Sequence, residues 1–519
     1  MFSSVQTVSL LLALISLLTI VYVRINDAKL TRLPPEALAI SPHRWKDEEI
    51  RETYARLKDG PKSLLEGKLP PKSGRRYIIT GGAGFLGGWI ILHLLQRGED
   101  PRRIRVLDIR KPVREDLQPE NVGPVDFILV DVANRQQVED AFCKAWPDDG
   151  RAPGEPEPEL TVFHTAATIR FFERHPDLLH LSEAVNVHGT QNVLDAARLV
   201  GARTFVSTSS GSVSVRSTRL WLLPWEKEPE FFTQVISDKN APFKQHDHFF
   251  SNYAVSKLNA EGRVRAADKS KSGDGIIRTG CIRPGNGIFG PGGDLIAGAY
   301  LVKKYNPTWV GSILQSFIFV ENCSLTHLLY EQRLIELENG SKNPDIGGQA
   351  FVVADAGPPP TFGDLHRALN LLSNGETTFP HFSPTAMLGI AHLVESYYLT
   401  RRFLLGSPLA FIARLMPAVV GDIVFLQPSM FSLTDVHLYF DDSRARDPPE
   451  KGGLGYPDNC TTLVGVCQVV VDHFRTGGKG TAREIVGHKA MEQSSLMGAE
   501  QAVGDVVGRI GAGVQEARI

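Results

Sequence analysis

Apolar and polar positions alternate along the middle of the chain in a pattern that predicts repeated strand–helix units. Residues 77–80 are short and apolar, as expected of a buried parallel strand, and residues 85–97 continue as an apolar helix that Gly98 ends. The further units are strands at 104–107, 125–130, 160–164, 204–207 and 275–282, and helices at 135–144, 182–199 and 253–267. This alternation predicts an α/β fold with a Rossmann-type doubly wound parallel sheet over residues 75–284.

The start of the chain has a different pattern. Residues 5–23 form an uncharged apolar run, long enough as a helix to cross about 30 Å of hydrocarbon. We therefore expect one transmembrane anchor within residues 1–25. A cleaved signal peptide is the alternative, but no basic residue precedes the run and no small-x-small cleavage site follows it. Arg24, Lys29 and Arg32 follow directly, so the positive-inside rule predicts that the bulk of the chain faces the cytosol.

The pattern is less regular on either side of the predicted sheet. Residues 26–74 are polar and contain prolines, and we interpret them as a linker and packing arm. Residues 285–478 combine proline, glycine and short strands, which indicates a smaller substrate-binding lobe. Within it, residues 381–426 are apolar but interrupted by charges, so they are either a membrane-proximal segment or part of the core. Residues 479–519 are expected to form a mobile tail.

Composition excludes some classes of function. The formal net charge of −2 provides no basic field for nucleic acid. The five cysteines show neither close pairing nor metal-ligand spacing, and the 15 histidines form no zinc pattern. We expect reduced, mostly buried thiols, no metal site and no nucleic-acid partner.

Three glycines after the first strand have the spacing of a dinucleotide-binding turn. Gly81 allows a tight turn, Gly84 lets the backbone approach a pyrophosphate, and Gly87 lets the next helix pack on the sheet. The N–H groups of that helix would face the phosphates. Asp108 ends the second strand 21 residues past Gly87, where a carboxylate can bind an adenosine ribose. Glycine spacing alone also fits an ordinary turn, but the strand and the acid favour a nucleotide site.

A second group of residues suggests proton transfer. Tyr253 and Lys257 lie at i and i+4 where a helix should begin, so they share a face, and an ammonium there would lower the pKa of the phenol. Such a tyrosine can take the proton of a secondary alcohol. The hydroxyls of residues 207–210 lie at the end of a predicted strand, and a serine there can bind the substrate oxygen. An exposed helix pair and simple strand-end capping are the alternative interpretations.

Taken together, these motifs resemble the extended short-chain dehydrogenase/reductase family and, within it, the 3β-hydroxysteroid dehydrogenases, including the decarboxylating sterol-4α-carboxylate 3-dehydrogenases. The resemblance covers residues 75–476. It rests on segments 80–87, 164–167, 186–193, 253–257, 283–291, 319–327 and 347–351.

The resemblance implies a role for each matched residue. Ser210, Tyr253 and Lys257 would be the catalytic residues. The cofactor-binding residues would be Gly81, Gly84, Phe85, Leu86, Gly87, Asp108, Asp131, Ala166, Tyr253, Lys257 and Pro284. NAD is the expected cofactor, although Arg110 beside Asp108 could accept the 2′-phosphate of NADP.

One departure from the family concerns the substrate. Ser210 and Tyr253 are 43 residues apart, more than the family pattern leads us to expect. The added loop, residues 209–252, contains Trp221, Trp225, Phe231 and Phe232, which either cover an apolar ligand or pack on the domain.

The resemblance implies an oxidoreductase in the endoplasmic reticulum membrane, single-pass, with a cytosolic catalytic domain and a possible homodimer. Its substrate would be the 3β-hydroxyl of a sterol or similar hydrophobic molecule, with decarboxylation at C4 as an option. A ketone or aldehyde reductase of secondary metabolism is the alternative on the same fold. A non-catalytic nucleotide-binding protein is a third hypothesis, which the intact Ser210, Tyr253 and Lys257 set disfavours.

Overall fold

The computed structural model describes residues 4–60, 63–151, 154–238 and 245–480, so the predicted tail lies outside it from residue 481 onward. The strands are β1 Arg76–Thr80, β2 Ile104–Asp108, β3 Asp126–Leu129, β4 Leu160–His164, β5 Thr204–Thr208, β6 Thr233–Ser237, β7 Lys271–Ser272, β8 Gly275–Ile276, β9 Arg278–Pro284, β10 Ile288–Phe289, β11 Ile318–Phe319, β12 Gln349–Val353 and β13 His437–Asp441.

The helices of the described ranges come from all parts of the chain. They are α1 Ser4–Leu30, α2 Pro35–Ile40, α3 Asp47–Lys58, α4 Phe85–Gln96, α5 Pro119–Val122, α6 Arg135–Cys143, α7 Leu179–Glu183, α8 Thr190–Leu199, α9 Asn252–Ala266, α10 Ala297–Lys303, α11 Val320–Glu338, α12 Phe362–Leu372, α13 Pro384–Leu405, α14 Ala410–Leu415, α15 Pro428–Thr434, α16 Ser443–Arg446 and α17 Thr462–Thr476. A π-helical turn, Ala184–Gly189, joins α7 to α8.

Seven strands form one parallel sheet in the order β12-β9-β5-β4-β1-β2-β3. The order reverses direction beside β1, which opens a crevice at the carboxyl edges of β1 and β4. Helices cover both faces: α4 and α11 pack on one, and α6, α8 and α9 on the other. Because both faces are covered, the central strands are buried apolar runs. The predicted Rossmann-type α/β fold is confirmed.

Two features differ from the expected pattern. The segment predicted as one strand over 275–282 is divided: β8 pairs with β7 in a small antiparallel ribbon, and β9 then enters the sheet. The sheet also continues past residue 284, because β12 pairs with β9 and α11 packs beneath them. Two separate stretches of chain therefore build the sheet. The pairing of β9 with β12 spans more than 60 residues, a separation that local periodicity does not reveal.

The rest of the chain builds a second core at the carboxyl edge of the sheet. Phe232, from the loop of residues 209–252, is buried in it, and β6 in the same loop pairs with β13. Trp45 and Ile50 of the N-terminal arm are buried in this core too. The carboxylate of Asp364 accepts hydrogen bonds from the backbone N–H of Trp45 (3.1 Å) and from Arg44 (2.7 Å). The arm is therefore part of the folded body.

Helix α1 extends outward from this body. It is long and apolar enough to cross a membrane, with a mean hydropathy of 2.4 over its most apolar stretch, and no other described residue covers that stretch. The helix reaches Leu30, beyond the predicted run, because its last turns dock on the protein: Asn26 and Leu30 are buried. One N-terminal apolar helix of this kind is what the sequence predicted.

Candidate active site

The glycine turn lies between β1 and α4 and is too close to its neighbours for side chains. Gly81 has a φ of +73°, and a Cβ there would lie 2.7 Å from the backbone nitrogen of Ala166. A Cβ on Gly87 would lie 2.5 Å from the carbonyl oxygen of Gly81. Gly84 is the N-cap residue of α4 and has an extended conformation. Because glycine has no side chain, no capping group accepts hydrogen bonds from the N–H groups of the first turn, which includes Phe85 and Leu86. This surface fits a pyrophosphate.

Asp108 ties the turn to the end of β2. Its Oδ2 accepts a hydrogen bond from the N–H of Ala83 (3.1 Å), and its Oδ1 accepts one from the N–H of Arg110 (3.2 Å). Burial raises the pKa of Asp108, while the Arg110 guanidinium lowers it. The carboxylate thus lies at the carboxyl end of β2 beside the glycine turn, and its binding of a ribose stays a prediction.

The other predicted cofactor residues follow neighbouring strands. Ala166 follows β4, where the N–H of Thr165 donates to the carbonyl of Thr80 in β1 (3.1 Å). Asp131 follows β3 and is exposed, with Oδ1 accepting from the N–H of Ala133 (2.9 Å). Pro284 ends β9 and is buried. These positions line the carboxyl edge of the sheet on both sides of the crevice.

Ser210 and Tyr253 meet at the same edge. Tyr253 lies in the first turn of α9, which Ser251 caps. Ser210 follows β5 and caps a short turn, with its Oγ 2.7 Å from the Oγ of Ser212. Burial raises the pKa of Tyr253 to about 12, and a hydrogen bond with the Ser210 hydroxyl lowers it in part. The structure thus brings together two residues that are 43 positions apart.

Lys257 lies one turn further along α9 but is oriented differently from the expectation. Its ammonium donates to the backbone carbonyl of Thr208, and burial lowers its pKa to about 8. Among the groups that act on the pKa of Tyr253, the one that lowers it is Ser210 and not Lys257. The predicted lowering of the tyrosine pKa by the lysine is therefore not found in this arrangement. The lysine lies beside the site with its charge held by the end of β5.

Glu261, which was not predicted from the sequence, lies next to the site and contacts Ser209 and Arg283. Its carboxylate accepts hydrogen bonds from Ser209 Oγ (2.6 Å) and from Arg283 Nε (2.8 Å) and Nη2 (2.7 Å). The pair is buried, and the negative charge raises the pKa of Lys257 against the effect of burial. A usable signal was present: Glu261 lies four residues after Lys257, on the helix face that carries the tyrosine and the lysine.

His327 of α11 reaches the site from the other face of the sheet. Its Nδ1 is 2.8 Å from the Cys323 carbonyl and must donate to it, so its Nε2 accepts from the Thr208 hydroxyl, 2.7 Å away. Burial lowers the pKa of His327 to about 4, which keeps the ring neutral. The histidine therefore fixes Thr208, whose carbonyl holds Lys257.

Asn186 positions α9 from the π-helical turn. Its Nδ2 donates to Ser256 Oγ (2.9 Å), and its Oδ1 accepts from the N–H of Thr168 (2.8 Å). Ser256 lies between Tyr253 and Lys257 on the chain. π-turns often occur at functional sites, and this one connects α9 to the chain that follows β4. The sequence pointed to the segment but did not reveal the turn.

A family model described as the 3-beta hydroxysteroid dehydrogenase/isomerase family matches residues 78–375, more than half of the chain. The chain belongs to this family. It is accordingly a nicotinamide-dependent dehydrogenase that acts on a CH–OH group. The match contains the glycine turn, Asp108, Ser210, Tyr253 and Lys257.

The chain is also similar to individual proteins and solved structures. The chain is 26% identical over 424 residues to 3beta-hydroxysteroid-dehydrogenase/decarboxylase isoform 2 of Arabidopsis thaliana. This alignment covers 78% of the chain and 64% of the Arabidopsis protein. The chain is 28% identical over 299 residues to mouse 3 beta-hydroxysteroid dehydrogenase type 7, covering 56% of this chain and 71% of the relative. Among solved structures, UDP-glucose 4-epimerase of Thermotoga maritima has 15% identity and a TM-score of 0.49, covering 78% of this chain and 99% of that one.

Proposed function

We propose that the protein is a membrane-anchored dehydrogenase that oxidises the 3β-hydroxyl of a sterol or similar polycyclic substrate with NAD. The observation that carries this proposal is the grouping of Ser210, Tyr253 and Lys257 at the strand edge beside the glycine turn. Family membership supports the oxidation of a hydroxyl group, and the anchor and the apolar surroundings support a substrate that is dissolved in a bilayer.

The residues of the site would act on the alcohol as follows. Bound nicotinamide supplies the hydride acceptor. Ser210 Oγ hydrogen-bonds the substrate oxygen, and Tyr253 takes the hydroxyl proton as the C–H bond of the same carbon breaks. Because burial raises the pKa of Tyr253 to about 12, the phenolate needs a nearby cation. Lys257 is one turn away, and a rotation of its side chain from the Thr208 carbonyl would provide that charge.

We propose NAD as the cofactor in preference to NADP. Asp108 is the last residue of β2. The hydroxyls of a ribose bound there can donate to its two carboxylate oxygens, whereas the carboxylate would repel a 2′-phosphate. Arg110, two residues past Asp108, favours the phosphate. Comparing the KM values for the two cofactors tests this choice, and a lower KM for NADP would reverse it.

A carboxylate at C4 of the substrate would add a second step. Oxidation of the 3-hydroxyl turns such a substrate into a β-keto acid, in which the C4–carboxyl bond can break to release carbon dioxide and leave an enolate that takes up a proton. Two Arabidopsis relatives carry dehydrogenase/decarboxylase in their names. We propose this reaction for the chain, with the endoplasmic reticulum membrane as its location.

A substrate comparison tests the proposal. The full-length protein in detergent micelles is given NAD and 3β-hydroxysterols with and without a 4-carboxylate, and both NADH and carbon dioxide are measured. We expect NADH from both substrates and carbon dioxide from the carboxylate alone. Formation of NADH without carbon dioxide would support the proposed dehydrogenase activity and refute the proposed decarboxylation. If simple ketones or aldehydes are reduced by NADH and no sterol is oxidised, the alternative reductase is correct.

A further inference from the structure

The hydroxyl of Ser210 has a single proton to donate, and the proposed function requires that proton at the reacting atoms. A serine oxygen carries one O–H donor and two lone pairs that accept. The neighbours of Ser210 in its turn therefore decide whether the proton faces the site or the protein. If a group of the turn accepted the proton, Ser210 could donate neither to Tyr253 nor to a substrate oxygen.

Ser212 contacts Ser210 Oγ through two donors. Its backbone N–H donates to that atom at 3.2 Å, which caps the short turn Gly211–Ser214. The two hydroxyl oxygens lie 2.7 Å apart, so one hydroxyl must donate to the other. The hydrogen bond between Ser210 and Tyr253 lowers the pKa of the tyrosine, and it can do so only if the phenolate accepts it. Ser210 therefore uses its proton on Tyr253, and the Ser212 hydroxyl is the donor within the serine pair.

The two hydroxyls that precede Ser210 are donated to other elements. The Thr208 hydroxyl donates to His327 Nε2 of α11 (2.7 Å). The Ser209 hydroxyl donates to Glu261 Oε2 of α9 (2.6 Å). Of the three consecutive hydroxyls, Ser210 is thus the donor that reaches Tyr253, and its orientation matters for the reaction.

The charged groups that surround Tyr253 have other partners. The pKa of the tyrosine responds to burial and to the Ser210 hydrogen bond, so the direction of the Ser210 proton controls how readily the phenolate forms. The described charged groups of the neighbouring elements are Lys257 with the Thr208 carbonyl, Glu261 with Arg283 of β9 (2.7 Å), and Arg170 after β4 with Glu173 (2.7 Å).

The turn that holds the serine pair is buried and closely packed. Ser212 is 5% exposed. A Cβ on Gly211 would lie 2.8 Å from the carbonyl oxygen of Pro284 and would overlap the ring of Phe440, so β9 and β13 confine the turn. Water has little access to compete for the Ser212 hydroxyl. In such an environment a hydrogen bond received by Ser210 also strengthens the one that it donates.

From this geometry we propose that Ser212 is a positioning residue for the oxidation. By donating to Ser210 Oγ through its N–H and its hydroxyl, it fills both lone pairs and directs the single Ser210 proton to Tyr253 and, during the reaction, to the substrate oxygen. The inference rests on the proposed function, in which Ser210 binds that oxygen. The alcohol loses its O–H proton to Tyr253 and the hydride of its C–H bond to the nicotinamide, while Ser212 neither gains nor loses a proton.

Three variants of the full-length protein in detergent micelles test this role. Ser212→Ala removes the hydroxyl and keeps the backbone N–H, whereas Ser212→Thr retains a hydroxyl. Ser214→Ala is the matched control, because the Ser214 hydroxyl is buried in the same turn and has no hydrogen-bond partner among the described residues. NADH formation from a 3β-hydroxysterol is measured from about pH 6 to about pH 10, together with NAD affinity.

We expect kcat of Ser212→Ala to fall about tenfold with NAD affinity retained, because Ser210 loses the hydrogen bond that directs its proton. The rising part of its pH–rate profile should move to higher pH by about 0.5 to 1, since the phenolate of Tyr253 is less stabilised. Ser212→Thr should recover most of the rate, and Ser214→Ala should match the wild type in rate and in pH profile.

A Ser212→Ala protein with the wild-type rate and pH profile would overturn the proposal. A lower rate with an unchanged profile, or with NAD affinity also lost, would overturn it as well, because either result indicates a purely structural role. If the wild type oxidises no sterol, the proposed substrate is refuted, and the same variants are compared in the reduction of a ketone by NADH. A wild type that turns over neither substrate would overturn both proposals.

Discussion

Replacing Lys257 by methionine should abolish turnover and yet stabilise the protein at neutral pH. The lysine is 6% exposed, and burial lowers its pKa from 10.5 to about 8. At about 1.4 kcal/mol per pKa unit, keeping it charged costs about 3 kcal/mol in the folded state. Methionine retains the unbranched stem without the charge but leaves the Thr208 carbonyl without its donor, a loss of about 1 kcal/mol. The net gain at pH 7 is about 2 kcal/mol.

The sign of the effect depends on pH. The folded pKa of Lys257 lies below its unfolded value, so between pH 8 and 10.5 the unfolded wild type binds more protons and wild-type stability rises with pH. The charge on Lys257 lowers the free energy of unfolding by its full amount below pH 8, and this effect disappears by about pH 10.5. The advantage of the methionine variant should therefore shrink over this window and become a deficit of about 1 kcal/mol at its end.

Denaturant unfolding in detergent micelles, followed by tryptophan fluorescence at pH 7 and at pH 10, measures this difference. Lys271→Met, at an exposed lysine of β7, is the control and should change the free energy of unfolding by less than about 0.5 kcal/mol at both pH values. A Lys257→Met protein that is less stable than the wild type at pH 7, or whose difference does not change with pH, would refute the reasoning.

Two further substitutions examine the cofactor turn and the buried ion pair. Gly81→Ala forces a Cβ to within 2.7 Å of a backbone nitrogen at a φ of +73°, and we expect NAD affinity to fall about tenfold or more in a titration. Gly98→Ala, also at positive φ but in open space, should leave that affinity unchanged. Glu261→Gln removes the negative charge that compensates buried Arg283 and should reduce the free energy of unfolding by about 3–5 kcal/mol, whereas Glu139→Gln, at a surface pair, should change it by less than about 1 kcal/mol.

Much of the sheet could be predicted because its strands are short apolar runs between turn residues. The predicted strand at 160–164 has the observed bounds of β4, and the predicted helix at 85–97 differs from α4 by one residue. The strand β12 was not predicted as part of the sheet, since its place depends on pairing with β9, which lies far away in the chain. Periodicity reports local burial, and it does not report which strands become neighbours.

The candidate site shows the same limit. The glycine turn and the Tyr253–Lys257 pair are local motifs, so their residue types and spacing indicated their chemistry. The pKa of Tyr253 depends on burial and on Ser210, and the ammonium of Lys257 is held by a carbonyl at the end of β5. Neither fact is encoded in the spacing of the helix residues. His327 comes from a helix on the opposite face of the sheet, and only the assembled fold brings it to Thr208.

The central claim is that Tyr253 takes the proton from the 3β-hydroxyl of a sterol. It is tested most directly by following NADH formation in phosphatidylcholine nanodiscs that contain the full-length protein and a 3β-hydroxysterol, with the 3α epimer as the control substrate. We expect turnover of the 3β epimer by the wild type and a fall of about 10²–10⁴-fold in Tyr253→Phe, with NAD binding retained. A Tyr253→Phe protein that oxidises the sterol at the wild-type rate would contradict the account.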